Sequence, residues 1–184
     1  VYAGEITSMG QGTLTDANAN WQQDQFNGAN GAFYIHFESG HMADIEQTSA
    51  GTKTLSYPGT APPGVAVGSQ YKIRKHQTIA DIFGQNNESG LVPGSNSEEA
   101  DNVLIHSAAT QETLTYFYSS VPGYPGWFRD DYDPANDVVV YPEQGLMVRR
   151  KSADATMVYL RGITQTFPIL VPVFEGYNLV GTIK

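Results

Sequence analysis

Apolar and polar residues alternate along this chain in short runs. The plainest case is Ala32-Phe33-Tyr34-Ile35-His36-Phe37-Glu38, where Phe33, Ile35 and Phe37 fall on one side and Tyr34, His36 and Glu38 on the other. A period of two predicts a strand with one core face and one wet face. Glu5-Ile6-Thr7 and Thr13-Leu14-Thr15 flank the turn Met9-Gly10-Gln11-Gly12, and Ser49-Ala50-Gly51 separates residues 42–47 from 53–57, so a hairpin is expected at each place. Trp21 and Phe26 follow in a polar loop that ends with Asn27-Gly28 and Asn30-Gly31, where positive φ costs little. Residues 57–64 are a Pro-rich excursion, and Tyr71-Lys72-Ile73-Arg74 is strand-like again. One short helix is expected over 78–83, with Ile79, Ile82 and Phe83 at helical spacing, Gly84 as its stop, and a place plugging one end of a sheet. Beyond it, 103–105, 113–118, 138–141, 146–149 and 156–160 read as strands, and 122–127 as a loop of Gly, Pro and aromatic residues. Many short strands with almost no helix predict an all-β fold, a β-sandwich or partly open barrel with one short helix. The chain reads as a single all-β unit over 1–184. Its Asn-, Ser-, Gly- and Glu-rich stretch at 85–101 is the expected exposed loop, or the boundary between two lobes.

Two segments depart from this alternation. Phe167-Pro168-Ile169-Leu170-Val171-Pro172-Val173-Phe174 is apolar on both faces yet holds two prolines that cannot donate to a ladder, so it is expected to be buried without being a central strand. Tyr177-Asn178-Leu179-Val180-Gly181-Thr182-Ile183-Lys184 is strand-like to its last residue, and the opening Val1-Tyr2-Ala3-Gly4 lacks both an initiator Met and an export signature, which implies a processed start. Strand sequence at both ends leaves sheet edges and apolar surface that a neighbouring copy would satisfy.

Composition narrows the partners. Ten Lys and Arg stand against 19 Asp and Glu, a net charge of −9, and the longest basic run is Arg149-Arg150-Lys151. Such a surface repels phosphate backbones and anionic lipid, so neither nucleic acid nor a membrane surface is an expected partner. No apolar run approaches the roughly 20 residues that span a bilayer. The chain has no Cys, which removes disulfides, thiolate metal sites and cysteine nucleophiles together. Only 16% of residues are charged and 11 are Tyr, a balance that points to an extracellular or cell-surface β-protein.

Candidate chemistry is sparse. Two acidic clusters, Glu98-Glu99 with Asp101 and Asp130-Asp131 with Asp133, lie in expected loops without apolar walls, and read as solvated turns rather than a catalytic acid/base pair. Calcium at Asp131, Asp133 and Asp137 is a weaker alternative to an acidic turn, because the EF-hand order is missing. His36, Glu38 and His41 do not have zincin spacing. Neither a Gly-x-Ser-x-Gly elbow nor a phosphate-binding Gly loop is present. The expectation is therefore no catalytic, cofactor or metal residues and no enzymatic activity. Tyr124 and Trp127, presented by a stiff Pro/Gly loop, are candidates for stacking on glycan, weighed against Trp127 and Phe128 capping the core. Asn87-Glu88-Ser89 is the one N-glycosylation triplet, on the longest loop, and Gly59-Thr60-Ala61-Pro62-Pro63 has the composition for O-linked sugar.

Motifs spread over most of the chain carry a resemblance. They include Gly4-Glu5-Ile6-Thr7, Trp21-Gln22-Gln23-Asp24-Gln25-Phe26, Gln77-Thr78-Ile79-Ala80-Asp81-Ile82-Phe83 and Ala100-Asp101-Asn102-Val103-Leu104-Ile105. Leu14-Thr15, Thr115-Tyr116-Phe117-Tyr118, Trp127, Pro142-Glu143-Gln144-Gly145-Leu146-Met147-Val148-Arg149-Arg150 and Gly176-Tyr177-Asn178-Leu179-Val180-Gly181 complete the set. In these the chain resembles a poorly characterised family of exported bacterial β-rich proteins, often encoded with a C-terminal sorting tail. The shared motifs are structural, so the resemblance implies an exported β-protein and supplies no activity. The family's usual extra strands before the first Gly are missing, and Thr182-Ile183 stands where it has Asn-Pro. The expectation is a secreted structural subunit that joins copies of itself head to tail by strand exchange into a surface filament or layer. Its inter-subunit strand candidates are Val1, Tyr2, Phe167, Ile169, Leu170, Val171, Val173, Phe174, Tyr177 and Leu179. A carbohydrate-binding or adhesive module is the alternative.

Overall fold

The structure is a computed structural model that describes residues 1–27, 32–151, 153, 157–160, 162 and 166–179. It is all-β, with several antiparallel sheets and one short helix. The chain divides into two compact units, Val1–His76 with Gln165–Leu170, and Gln77–Thr164 with Val171–Lys184.

In the first unit β1 (Tyr2–Glu5), β4 (Phe33–Phe37), β5 (Met42–Asp44) and β8 (Gln70–Lys75) form a sheet in the order β1-β8-β4-β5. A second sheet, β2-β3-β7-β6, is built from β2 (Ser8–Gly10), β3 (Thr13–Thr15), β6 (Gln47–Ser49) and β7 (Thr54–Ser56). Register places Ile35 opposite Ile73 in one sheet and Leu14 opposite Leu55 in the other, and these four belong to one apolar cluster with Ile6, Trp21, Phe26 and Phe37. A hairpin forms at each expected place, as β2–β3 and β6–β7, but with Ser8–Gly10 and Gln47–Ser49 as first strands where 5–7 and 42–47 were expected. The arms differ from expectation: Glu5 pairs with Gln70 across the sheet, and β5 leaves for the other sheet to pair with β4.

Phe33, Ile35 and Phe37 point to the core as their period demands. The opposite face is not wet, because Tyr34 and His36 are buried along with Arg74 and His76. The chain returns 132 positions later to cover them, with Pro168 on His36. Alternation assigns side chains to faces but does not reveal what lies on each face.

The second unit contains β9 (Gln77–Thr78), α1 (Ile79–Phe83), β10 (Asn102–Ser107), β11 (Glu112–Ser119), β12 (Gly126–Arg129), β13 (Val139–Val140) and β14 (Leu146–Arg149). Four strands pair in the order β12-β11-β10-β14, and β13 pairs with β9. The helix starts where Thr78 accepts the Asp81 N–H and Asp81 accepts the Thr78 N–H, each at 3.1 Å, a reciprocal cap. Gly84, at φ 94°, ends it. Ile79, Ile82 and Phe83 are buried with Val103, Ile105, Tyr116 and Trp127.

The chain divides at His76, not near 85–101. That stretch is part of the second unit: Ser89, Leu91 and Ala100 are buried, and Asp101 lies at 1% exposure. Asp101 accepts the N–H groups of Val92 (2.9 Å) and Lys151 (2.8 Å) and ion-pairs with Arg150 at 2.8 Å. Polar composition suggested a loop, and an internal carboxylate ties it down. Residues 157–160 are not in a strand; residue 156 lies outside the described residues, as do 180–184 of the expected C-terminal strand.

Candidate functional site

The expected inter-subunit segment occupies two surfaces, one on each unit, and each is described separately. On the first unit, residues 166–170 run along the outer face of the β1-β8-β4-β5 sheet. The His36 ring nitrogen Nε2 donates to the Pro168 carbonyl at 2.8 Å, and the Phe167 ring meets the His36 ring edge-on at 5.4 Å. Lys72 Nζ lies 4.2 Å from the centre of the Phe167 ring and also bonds Thr166. The Leu170 N–H donates to Gly40 at 3.0 Å. Gly40 has φ 92°, and a Cβ there would come within 3.3 Å of the Pro168 carbonyl, so glycine is needed for the chain to lie down. Beside this contact, His76 Nε2 is 2.8 Å from Asp44 and the His76 ring packs on Tyr34.

On the second unit, residues 171–179 are held by polar groups. The Asn178 side chain closes a turn on the N–H and C=O of Phe174, both at 2.9 Å. Gln111 accepts the Tyr177 N–H at 2.7 Å and returns a bond to its carbonyl, which His106 also contacts at 2.9 Å. Gly145 donates to Leu179. A cavity of about 220 Å³ remains between Val171, Pro172, Phe174 and Leu179 on one side and His106 of β10 and Glu143 of the turn before β14 on the other.

This anchoring leaves apolar side chains outside. Phe167, Ile169 and Val171 are half-buried, but Leu170, Phe174, Val173 (73%) and Tyr177 (84%) are exposed, contrary to the expected burial of the segment. None of residues 166–179 is in a strand. The N–H groups of Ile169, Val171 and Val173 have no acceptor among the described residues. At the other end, Val1 is exposed and Tyr2 is half-exposed in β1, an outer strand that among the described residues pairs through β8 alone.

The glycan candidates separate. Trp127 is in β12 at 1% exposure, its indole N–H donating to Gly84 at 2.9 Å and its ring against Phe83 and Tyr118, so it cannot stack on a sugar. Burying an indole in a core satisfies both its area and its donor. Tyr124 remains exposed at the turn. The Asn87 side-chain nitrogen, the atom a glycan would modify, donates inward to Leu91 at 2.6 Å, and Ser89 bonds the same side chain, so the triplet is not sterically free.

At the acidic turn, Arg129 forks onto Asp131 and reaches Asp133 at 2.7 Å. The guanidinium holds the Asp131 carboxyl below its ordinary value. A cation already occupies those oxygens, and Asp137 stays exposed. No group of three or more His, Asp or Glu poised for a metal occurs among the described residues. His36 is engaged by Pro168, and His41 by Ser39 at 3.1 Å.

A constellation the sequence did not suggest lies in the first unit. Tyr71 Oη donates to Asp16 Oδ2 at 2.7 Å, and the Asn18 N–H to Asp16 Oδ1 at 2.9 Å. Trp21 meets Tyr71 edge-on. Burial and the Asp16 carboxylate push the Tyr71 phenol well above its usual range, so it stays a donor. These residues border a cleft of about 570 Å³ with Tyr2, Gly4, Glu5, Asn20 and Gln70. The two partners are 55 positions apart, and the signal that was available is Trp21 standing in a polar loop. Compared with protein-family models, curated proteins and solved structures, the chain matches none of them.

Proposed function

We propose that this chain is a non-enzymatic extracellular structural subunit that assembles head to tail with copies of itself, its C-terminal segment pairing with an outer strand of the next copy to build a surface filament or layer. The carrying observation is the trio of unpaired N–H groups at Ile169, Val171 and Val173 beside exposed Leu170, Val173, Phe174 and Tyr177. In a strand, alternate residues direct their backbone polar groups to opposite edges. Pro168 and Pro172 share one edge, so the opposite edge carries Ile169, Val171 and Val173 with every donor intact. Such a segment suits pairing on one side only. The like ends of a closed pair would not meet this way, and a head-to-tail contact that does not close gives a fibre.

Electron microscopy and light scattering of the purified chain test this. Filaments or sheets are expected for the native chain, and their loss in Val173→Asp/Phe174→Asp. A native chain that stays monomeric at every concentration overturns the reading.

A further inference from the structure

We propose that the cleft beside β1 in the first unit binds a neutral saccharide. Its volume, about 570 Å³, falls within the range of about 300–1,000 Å³ of small-molecule sites. The lining chemistry selects the ligand class. Among the described residues Glu5 and Asp16 are its only charged ones and no cationic side chain borders it, so phosphorylated or carboxylated ligands are repelled. The amide side chains of Asn18 and Asn20 and the Trp21 indole N–H make no hydrogen bond among the described residues, and so remain open to a ligand rich in hydroxyls. Tyr2, 45% exposed, supplies an aromatic surface on which the C–H face of a pyranose packs.

The floor is built rather than incidental. Asp16, 4% exposed, is aimed by the Tyr71 hydroxyl and the Asn18 N–H, which leaves carboxylate lone pairs for sugar hydroxyls. Gly4 lies directly against this pair: a Cβ there would come within 2.6 Å of Tyr71 Oη, so a side chain would displace the hydroxyl. Tyr71 is a positioning residue, and Asp16, Asn18, Asn20 and Trp21 are the binding ones. This reading does not depend on assembly.

The two tryptophans provide an internal control, because Trp127 is sealed in the core of the second unit. In the 184-residue Val173→Asp/Phe174→Asp chain, which removes any effect of assembly, the two indole N–H signals are followed by NMR. The probes are glucose tetramers joined β-1,4 or α-1,4 and the β-1,4 tetramer of N-acetylglucosamine. A saturable shift of the Trp21 signal alone is expected with at least one probe, weakened about tenfold in Asn18→Ala/Asn20→Ala, the loss of roughly one well-made hydrogen bond. An unmoved Trp21 signal with all three probes, an equal response to glucose 6-phosphate, or undiminished affinity in the double variant overturns the proposal.

Discussion

Asp101 holds a charge where solvent scarcely reaches. Two backbone N–H groups and Arg150 surround it, so truncation leaves two donors without their acceptor and a guanidinium without its counter-charge. Asp101→Ala is expected to cost about 3–5 kcal/mol in urea unfolding, and Asp101→Asn, which keeps an acceptor, distinctly less. Asp131 is the opposite case, an exposed carboxyl held by the Arg129 fork. Because its folded pKa is depressed, the interaction is present above the unfolded value and disappears as pH falls through the folded one. Carboxyl NMR should place the Asp131 midpoint below the ordinary aspartate value and restore it in Arg129→Ala. Neither partnership was legible in the sequence. The same charged residues in polar stretches suggested solvated loops, and only the arrival of Arg150 or the fold-back of Arg129 distinguishes a tether from a turn. Trp127 shows the converse: of its two sequence readings, display from a Pro/Gly loop or capping of the core, the second holds, its indole reaching Gly84, 43 positions away.

Elements were more readable, because their signals are local. The helix stands where its spacing and Gly84 put it, with a cap that requires only Thr78 and Asp81. Five residues are too few for intrinsic helix stability, so burial of Ile79, Ile82 and Phe83 sustains it. Thr78→Ala should therefore lower stability by about 1 kcal/mol, seen as a reduced melting temperature, without removing the helix. The strand of 33–37 and that of 146–149 likewise follow their patterns. Partner choice was less legible: β5 precedes a hairpin in sequence but joins β4, since the turn at Ser39-Gly40 brings Met42 opposite His36.

For the whole molecule, the decisive segment is 166–179, tied down through backbone and polar groups while its larger apolar side chains face out. Since Val173 and Phe174 are exposed, replacing both by Asp should leave the unfolding midpoint of the unassembled chain nearly unchanged, within about 0.5 kcal/mol per site, while abolishing filaments. That separation distinguishes an assembly surface from a structural one. What the sequence by itself determined is the all-β class, the helix, and which residues of each strand share a face, because period, turn chemistry and capping act within a few residues. The tertiary structure alone decided that the chain divides at His76, that the outer face bearing His36 is covered, and that Asp16 meets Tyr71 across a cleft. Those outcomes depend on segments 55 to 132 positions apart competing for the same surface, and no local pattern encodes which of them arrives.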